Sequence, residues 1–188
     1  MSDNRGQEVT VNYQEEDLWQ NVHKMLKRVC HHKLITDNFW LFNDDFFIME
    51  KVEKPCNYYC GDIYKRIVTL EDKFGDFTPY SYELRKMAKE LESMGLSTKN
   101  YALHVPILIN KQKMIEVLNM TDCPMFRTIY ANYVELGGEE IQDVKITSKD
   151  KLYKGGIYLS TEDKAFNDGL VGKQIRDKFP DSCKYERS

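Results

Sequence analysis

Two short aromatic runs, at residues 39–42 and 46–49, constrain the fold more than any other part of the sequence. They read FWLF and FFIM, and Asn43, Asp44 and Asp45 separate them. Aromatic and branched residues favour strands, and Asn/Asp clusters favour turns, so the pattern predicts a β-hairpin. Both runs are apolar at successive positions, which predicts that other elements cover both faces of the hairpin.

The segment before the hairpin has the pattern of an amphipathic helix over residues 15–32. Acidic residues open this segment and basic residues close it, an order that complements the helix dipole. Its apolar residues recur at spacings of three and four, which places them on one face. This stripe consists of Leu18, Val22, Met25, Leu26 and Val29.

The rest of the chain contains further helix and strand patterns. A helix is predicted from Thr78 to Gly95, because a capping hydroxyl precedes Pro79 and a glycine follows the apolar stripe. The other predicted elements are strands at 58–70, 101–109 (with Pro106 at an edge or bulge) and 157–159, a helix at 111–119, a hairpin of 126–136 and 139–147, and a last helix capped by Ser160 or Thr161. Helices and strands that segregate in this way predict an α+β fold, with a mixed or antiparallel sheet built from hairpins and packed by three to four helices.

Composition is that of a globular protein with a sizeable core. Hydrophobic residues make up 41% and charged residues 30% of the 188 positions. We expect one domain over residues 14–180, with a possible sub-boundary near 93–100, a flexible tail at 1–13 and a C-terminal tail at 181–188. The net charge of −3 gives no overall signature of a nucleic-acid-binding protein.

The sequence predicts a cytoplasmic or nuclear protein without a membrane span. No apolar run approaches the ~18 residues that a span needs, and the N-terminal segment is polar and acidic. The five cysteines are an odd number, which in a reducing compartment favours thiols or metal ligands over disulfides.

Four of the Cys and His residues are candidate zinc ligands. Cys30 and His31 end the first helix, and Cys56 and Cys60 lie four positions apart behind Pro55. Zinc is often held by two such close pairs. The alternative is a set of buried cysteines beside a surface histidine, and the irregular spacing favours it. We therefore expect no cofactor, and zinc is the one cofactor that the sequence allows.

The aromatic residues of the predicted hairpin and of the segment after it are candidates for binding a protein partner. Exposed apolar patches on soluble proteins commonly mark partner surfaces. The alternative is that these rings fill the core, the commoner role of aromatic residues in a domain of this size. The candidates are Phe39, Trp40, Phe42, Phe47, Tyr58 and Tyr59.

Clustered basic residues make nucleic-acid binding a second possibility. One group lies on the first helix and another lies in the loop that ends at Gly155 and Gly156. Either group could contact phosphates, although such runs are more often solvated surface. These candidates are Lys24, Lys27, Arg28, Lys145, Lys149, Lys151 and Lys154.

A G-x-x-G-K motif near the C-terminus extends the nucleic-acid possibility. Gly169, Gly172 and Lys173 follow a predicted strand and helix, an order that resembles the G-x-x-G clamp of KH modules. The resemblance covers about 30 residues and implies a grip on a single strand of nucleic acid. Asn167 and Asp168 stand where KH modules have apolar residues, which favours the alternative of a kinked helix or two short helices.

No catalytic signature is recognisable in the sequence. His104 lies in an apolar stretch, which is more typical of a satisfied core residue than of a base, and Asp44 and Asp45 suit a turn. We therefore expect a non-catalytic binding or regulatory protein that acts through protein–protein contacts. RNA or single-strand binding is the first alternative, and an enzyme whose site is assembled from distant residues is the second.

Overall fold

The computed structural model describes residues 18–43, 46–75 and 78–181 of the chain. The predicted N-terminal tail, the Asp44–Asp45 pair, Cys183 and all but residue 181 of the predicted C-terminal tail lie outside these residues. Within them, the chain forms an α+β fold, as predicted, with seven helices instead of three to four. The helices are α1 Leu18–His31, α2 Ile63–Phe74, α3 Pro79–Ser93, α4 Lys111–Met120, α5 Phe126–Tyr133, α6 Asp163–Asp168 and α7 Leu170–Lys178.

The described strands are short and form three small sheets. They are β1 Asn38–Leu41, β2 Phe46–Ile48, β3 Tyr58–Tyr59, β4 Ile107–Asn110, β5 Glu139–Glu140, β6 Lys145–Ile146 and β7 Tyr158–Thr161. The first sheet pairs β1 with β4, the second has the order β2-β7-β6, and the third pairs β3 with β5. The β1–β4 and β2–β7 pairs are antiparallel, whereas β3–β5 and β6–β7 are parallel.

The predicted hairpin of residues 39–49 is wrong, although both of its runs are strands. Instead of pairing with each other, the two strands enter different sheets: Phe39 of β1 lies opposite Ile109, and Phe47 of β2 lies opposite Leu159. Pairing is decided by which distant strand offers a complementary apolar face, and local composition does not carry that information. The segment therefore joins two parts of the core.

The strand predicted over residues 58–70 is also wrong, because most of that segment is helix α2. Ile63, Ile67 and Leu70 are buried, at spacings of four and three that suit one helix face. The carboxylate of Asp62 accepts a hydrogen bond from the Tyr64 backbone N–H at 2.8 Å and caps the helix. Two of the β-branched residues that suggested a strand, Ile63 and Ile67, thus belong to the buried stripe of a capped helix.

Two more predicted strand regions differ from the structure. Residues 126–136 form helix α5 in place of the first half of a Gly-Gly hairpin, with Ile129 and Ala131 fully buried. The strand predicted over 101–109 is confined to β4, which begins directly after Pro106, a residue that has no N–H to give to a strand ladder. In both segments, residues whose composition favours a strand are helical or irregular, because packing in the core determines their conformation.

Helix α3 confirms the strongest local pattern in the sequence. The hydroxyl of Thr78 accepts a hydrogen bond from the Ser81 N–H, and the Ser81 hydroxyl accepts one from the Thr78 N–H, each at 3.0 Å. This reciprocal capping box, with Pro79 as the first helical residue, fixes the start of the helix. Gly95 follows the helix at φ 71°, a left-handed conformation that glycine adopts readily.

The position of α1 is set by its packing on α4. Leu26 and Cys30 are buried in the largest apolar cluster together with Met114 and Leu118 of α4. Beyond the end of α1, the ammonium group of Lys111 donates hydrogen bonds to the carbonyl oxygens of His32, at 2.8 Å, and of Ile35. These bonds hold the chain that leaves α1 and complete its C-terminal end. The opposite face of α1 is left at the surface.

Candidate functional site

A groove of about 400 Å³ runs along the outer face of α1 and is lined by basic side chains. The lining residues within the described part of the chain are Lys24, Lys27, Arg28 and His31. Their spacing of three, one and three positions puts them on one helix face over two turns. Three of them, Lys27, Arg28 and His31, are exposed and Lys24 is half-buried.

The sequence produces this groove because α1 is strongly amphipathic. Its buried residues, Leu26 and Cys30, face α4, so the basic residues at the intervening positions face outward. Two bonds to the last turn of α4 fix the orientation: His23 Nε2 lies 3.0 Å from the Leu118 carbonyl oxygen, and Lys27 Nζ donates to Asn119 Oδ1 at 2.9 Å. These contacts, with the packing of α1 on α4, fix which face of α1 is turned toward the groove.

His31 is part of this basic groove and is tied to α1 itself. Its Nδ1 lies 2.7 Å from the Lys27 carbonyl oxygen. A carbonyl oxygen only accepts hydrogen bonds, so Nδ1 carries the hydrogen and Nε2 points away from the helix backbone. This bond orients the imidazole ring at the C-terminal end of the groove.

The four candidate metal ligands are not brought together. In residues 18–43, 46–75 and 78–181, no three His, Cys, Asp or Glu side chains form a group that could hold a metal ion. Burial raises the pKa of Cys30 to about 11, against a smaller lowering by the charge of Lys111, so this residue is held as a thiol. Cys56 Sγ donates to the Asn57 carbonyl oxygen at 3.2 Å, and Cys60 is half-buried nearby in the chain.

The aromatic candidates pack mostly against the interior. Phe39 and Tyr59 contact the largest apolar cluster, and Tyr58 contacts a smaller one. Phe47 stacks on Phe166 with ring centroids 5.7 Å apart. Of the six candidates, five are half-buried, among them Trp40, and only Phe42 is exposed, at 47%. Core packing therefore accounts for most of the aromatic excess in this region.

The lysines outside α1 lie far more dispersed, and several are paired within the fold. Lys149 contacts Asp168 at 3.0 Å and Lys173 contacts Asp177 at 2.6 Å. Lys145 Nζ lies 3.3 Å from His104 Nε2. The remaining loop lysines, Lys151 and Lys154, are exposed. The carboxylates of Asp168 and Asp177 neutralise part of the charge that a phosphate backbone would meet.

The two glycines of the G-x-x-G motif serve the packing of α7 on α6. Both Gly169 and Gly172 are buried. A Cβ atom on Gly172 would lie 1.6 Å from the Phe166 carbonyl oxygen, so only glycine allows the two helices to approach this closely. The chain forms two short helices here, α6 and α7, which is one of the alternatives to a nucleic-acid clamp.

A second polar cluster, around His104, was not anticipated from the sequence as a group. His104 Nδ1 lies 2.9 Å from Asp143 Oδ2, and the His104 backbone N–H donates to Asp143 Oδ1 at 3.2 Å. No local motif links residues this far apart in the chain, so only the alternation of His104 with buried Leu103 and Val105 hinted that its side chain faces outward.

The Asp143 carboxyl is held ionised by this cluster. Burial raises its pKa, but hydrogen bonds and charge from His104, with backbone hydrogen bonds from His104 and Lys145, lower it by more. The net effect is a pKa below the ordinary value of an aspartate. The pair fastens the segment before β6 to the apolar stretch that contains Leu103 and Val105.

None of the described helices has the length and apolar character that crossing a bilayer requires.

Comparison with known proteins gives no family assignment. No protein-family model, no curated protein and no solved structure matches the chain significantly.

Proposed function

We propose that this chain is a binding protein whose α1 groove receives an acidic segment of a protein partner. The observation that carries the proposal is the alignment of four basic side chains, Lys24, Lys27, Arg28 and His31, along one groove. Carboxylates are the protein groups that complement ammonium and guanidinium donors, and a guanidinium can bind a carboxylate through two hydrogen bonds.

Two side chains of the groove are already held by hydrogen bonds, and this favours binding. Lys27 is already held by Asn119, and His31 is already held by the Lys27 carbonyl, so less side-chain freedom is lost when a ligand arrives. Each exposed ion pair contributes about 0.2–1 kcal/mol, so each pair that the ligand forms would change affinity by up to about five-fold. Such binding weakens as salt is added, because the charges are near the surface.

Two exposed apolar side chains, each close in the chain to a residue of the groove or to Asn119, offer a further contact for a protein. Leu34, three positions after His31, is 57% exposed, and Met120, next to Asn119, is 48% exposed. An acidic segment with one or two apolar residues would meet complementary surface at both. This arrangement replaces the aromatic half of the binding surface expected from the sequence, because most of those rings pack inward.

Nucleic-acid binding is the second candidate function, since the same cations could contact phosphates. The overall charge of −3 and the pairing of Lys149 and Lys173 with carboxylates give it less support. No described aromatic side chain lines the groove to stack on a base.

The test is fluorescence anisotropy with two labelled probes, a 14-residue Glu-rich peptide and a single-stranded RNA 12-mer, at low and high salt. The variant is Lys24→Glu with Arg28→Glu, and the matched control is Lys86→Glu with Lys89→Glu, which makes the same charge change on the exposed side of α3. We expect salt-sensitive peptide binding that the groove variant loses and the control keeps. Peptide binding that both variants lose equally, or no peptide binding at all, would overturn the proposal, and RNA binding alone would establish the second candidate.

A further inference from the structure

We infer that the Asp168–Gly169 peptide bond is a site of spontaneous isomerisation to isoaspartate, and that the junction of α6 and α7 holds this site closed. Of the 10 glycines in the sequence, Gly169 is the only one that follows an aspartate or an asparagine. Because glycine has no side chain, it shields its own nitrogen least from a neighbouring carboxyl group. The chain therefore carries one peptide bond of the kind most prone to this reaction.

The reaction joins the side chain of Asp168 to the main chain. The Gly169 nitrogen forms a bond to Cγ of the protonated carboxyl group, and the hydroxyl of that group leaves as water with the amide proton. Water then opens the cyclic imide. Cleavage of the new N–C bond restores aspartate, and cleavage of the original N–C bond gives isoaspartate, in which the main chain runs through the former side chain.

The conformation of Asp168 opposes the closure of this ring. Asp168 is the last residue of α6. Ring closure requires its Cα–Cβ bond to eclipse the bond from its carbonyl carbon to the Gly169 nitrogen, and this rotation is far from the helical ψ of about −42°. The last turn of α6 must therefore open before the nitrogen can attack the carboxyl group.

Both reacting groups are also engaged in contacts that must break. The Gly169 N–H donates a hydrogen bond to the Ala165 carbonyl oxygen at 3.1 Å, so the proton that the reaction removes is held within the fold. Asp168 Oδ2 forms an ion pair with Lys149 Nζ at 3.0 Å. The Leu170 N–H donates to the Lys149 carbonyl oxygen at 2.9 Å. Lys149 thus holds the residues on both sides of Gly169.

Packing explains why a glycine occupies the reactive position. Gly169 is buried, and a Cβ atom there would lie 2.4 Å from the Ala165 carbonyl oxygen and 3.1 Å from Lys149 Cα. A larger residue would force the backbone of the junction apart. The close contact that requires the glycine belongs to the same junction that keeps the bond closed, so the bond reacts only when the junction opens.

Uptake of heavy oxygen from labelled water tests the inference, because opening of the imide adds an oxygen atom from water. The full chain is incubated at pH 6 in labelled water, once folded and once in urea, and is then digested with trypsin in ordinary water. Mass spectrometry follows the peptide of residues 165–173, which lies between cleavage sites at Lys164 and Lys173. A synthetic peptide of this sequence, incubated in both solutions, corrects for any effect of urea on the chemistry.

Three variants complete the experiment. Asp168→Glu, at an exposed position, has a side chain too long to close this imide readily and controls for uptake elsewhere in the peptide. Lys149→Met removes the ion pair with Asp168. Lys151→Met, an exposed position in the same loop, is its matched control.

We expect uptake at Asp168 to be at least about 10-fold slower in the folded chain than in urea, because local opening must break a backbone hydrogen bond. In the folded chain, Lys149→Met should raise the rate about two- to five-fold, the factor for an exposed ion pair, and Lys151→Met should leave it unchanged. Equal rates in the folded and unfolded chain would overturn the closed junction, and no uptake in urea would overturn the site itself. An unchanged rate in Lys149→Met would overturn the part assigned to Lys149.

Discussion

Lys27 Nζ donates a hydrogen bond to Asn119 Oδ1 at 2.9 Å, joining residues that lie 92 positions apart. The bond fixes the central cation of the α1 groove to the last turn of α4. The four basic side chains of the described lining all belong to α1, and Asn119 of α4 holds one of them in place.

Removing this bond should weaken ligand binding without changing the charge of the groove. In Asn119→Ala, Lys27 regains side-chain freedom that must be lost again on binding, a cost of about 0.5–1 kcal/mol. We expect a two- to five-fold loss of affinity for the acidic peptide by anisotropy. Asn167→Ala, at an exposed position on α6, is the matched control. Identical affinities for the two variants would show that Asn119 does not organise the groove.

Lys111→Met should destabilise the fold by about 2–3 kcal/mol. The substitution leaves the carbonyl oxygens of His32 and Ile35 without the charged donor that now satisfies them, and hydrogen bonds to charged groups are worth about 1.5–3 kcal/mol. The free energy of unfolding from urea titrations is the measurement. Lys113→Met, in the same helix but at an exposed position paired with Glu116, should cost much less. Equal losses would contradict the capping role of Lys111.

Asp143→Asn should reveal a contribution to stability that depends on pH. The folded protein lowers the pKa of Asp143 below the unfolded value of ~3.9, so its stabilising effect is complete above that value. It is lost as pH falls through the lower, folded pKa. Urea titrations between pH 5 and pH 2.5, where imidazole groups in general are charged, should give stabilities of wild type and variant that converge as the pH falls. A difference that stays constant over this range would rule out the pairing with His104 as its origin.

Cys30 should resist alkylation in the folded protein. With its pKa raised to about 11, the thiolate fraction at pH 8 is about 240-fold smaller than that of an ordinary cysteine with a pKa of ~8.5. Peptide mapping by mass spectrometry after timed iodoacetamide treatment should find Cys56 and Cys60, which are half-buried, modified well before Cys30. The same treatment in urea, in which all sites should react alike, is the control. Rapid native labelling of Cys30 would contradict its burial.

The sequence predicts an element well when nearby residues specify both where it ends and which of its faces is apolar. Helix α3 has a capping hydroxyl, a proline at its first position and a glycine after its end, and α4 begins at Lys111, directly after Asn110, whose side chain caps it. Both were predicted within one or two residues. In α2 the cap and the apolar spacing were present as well, but β-branched residues at positions such as Ile67 and Val68 suggested a strand. Burial of Ile63, Ile67 and Leu70 decides the outcome, and burial depends on the rest of the fold.

The groove was only half predictable for the same reason. Lys24, Lys27 and Arg28 stand at helical spacing in the sequence, so their common face could be inferred. The proximity of Cys30 in the sequence favours a metal site for His31, yet in the structure Cys30 is buried whereas His31 is exposed. The contribution of Asn119 depends on how α1 packs against α4, which no local pattern encodes.

The division of residues 38–48 between two sheets bears on the order of events during synthesis. Trp40 can pair only after Leu108 has been synthesised. Phe46 can pair only after Ser160, which lies more than a hundred residues later in the chain than Phe46, has been synthesised. At about 5–20 residues per second, a ribosome needs roughly 6–23 s to synthesise the chain from Phe46 to Ser160. During this interval β2 lacks its partner strand β7 and the covering helices α6 and α7. The backbone edge of this aromatic strand therefore stays unpaired. A nascent chain stalled before β7 should therefore be a better substrate for chaperones than the finished protein.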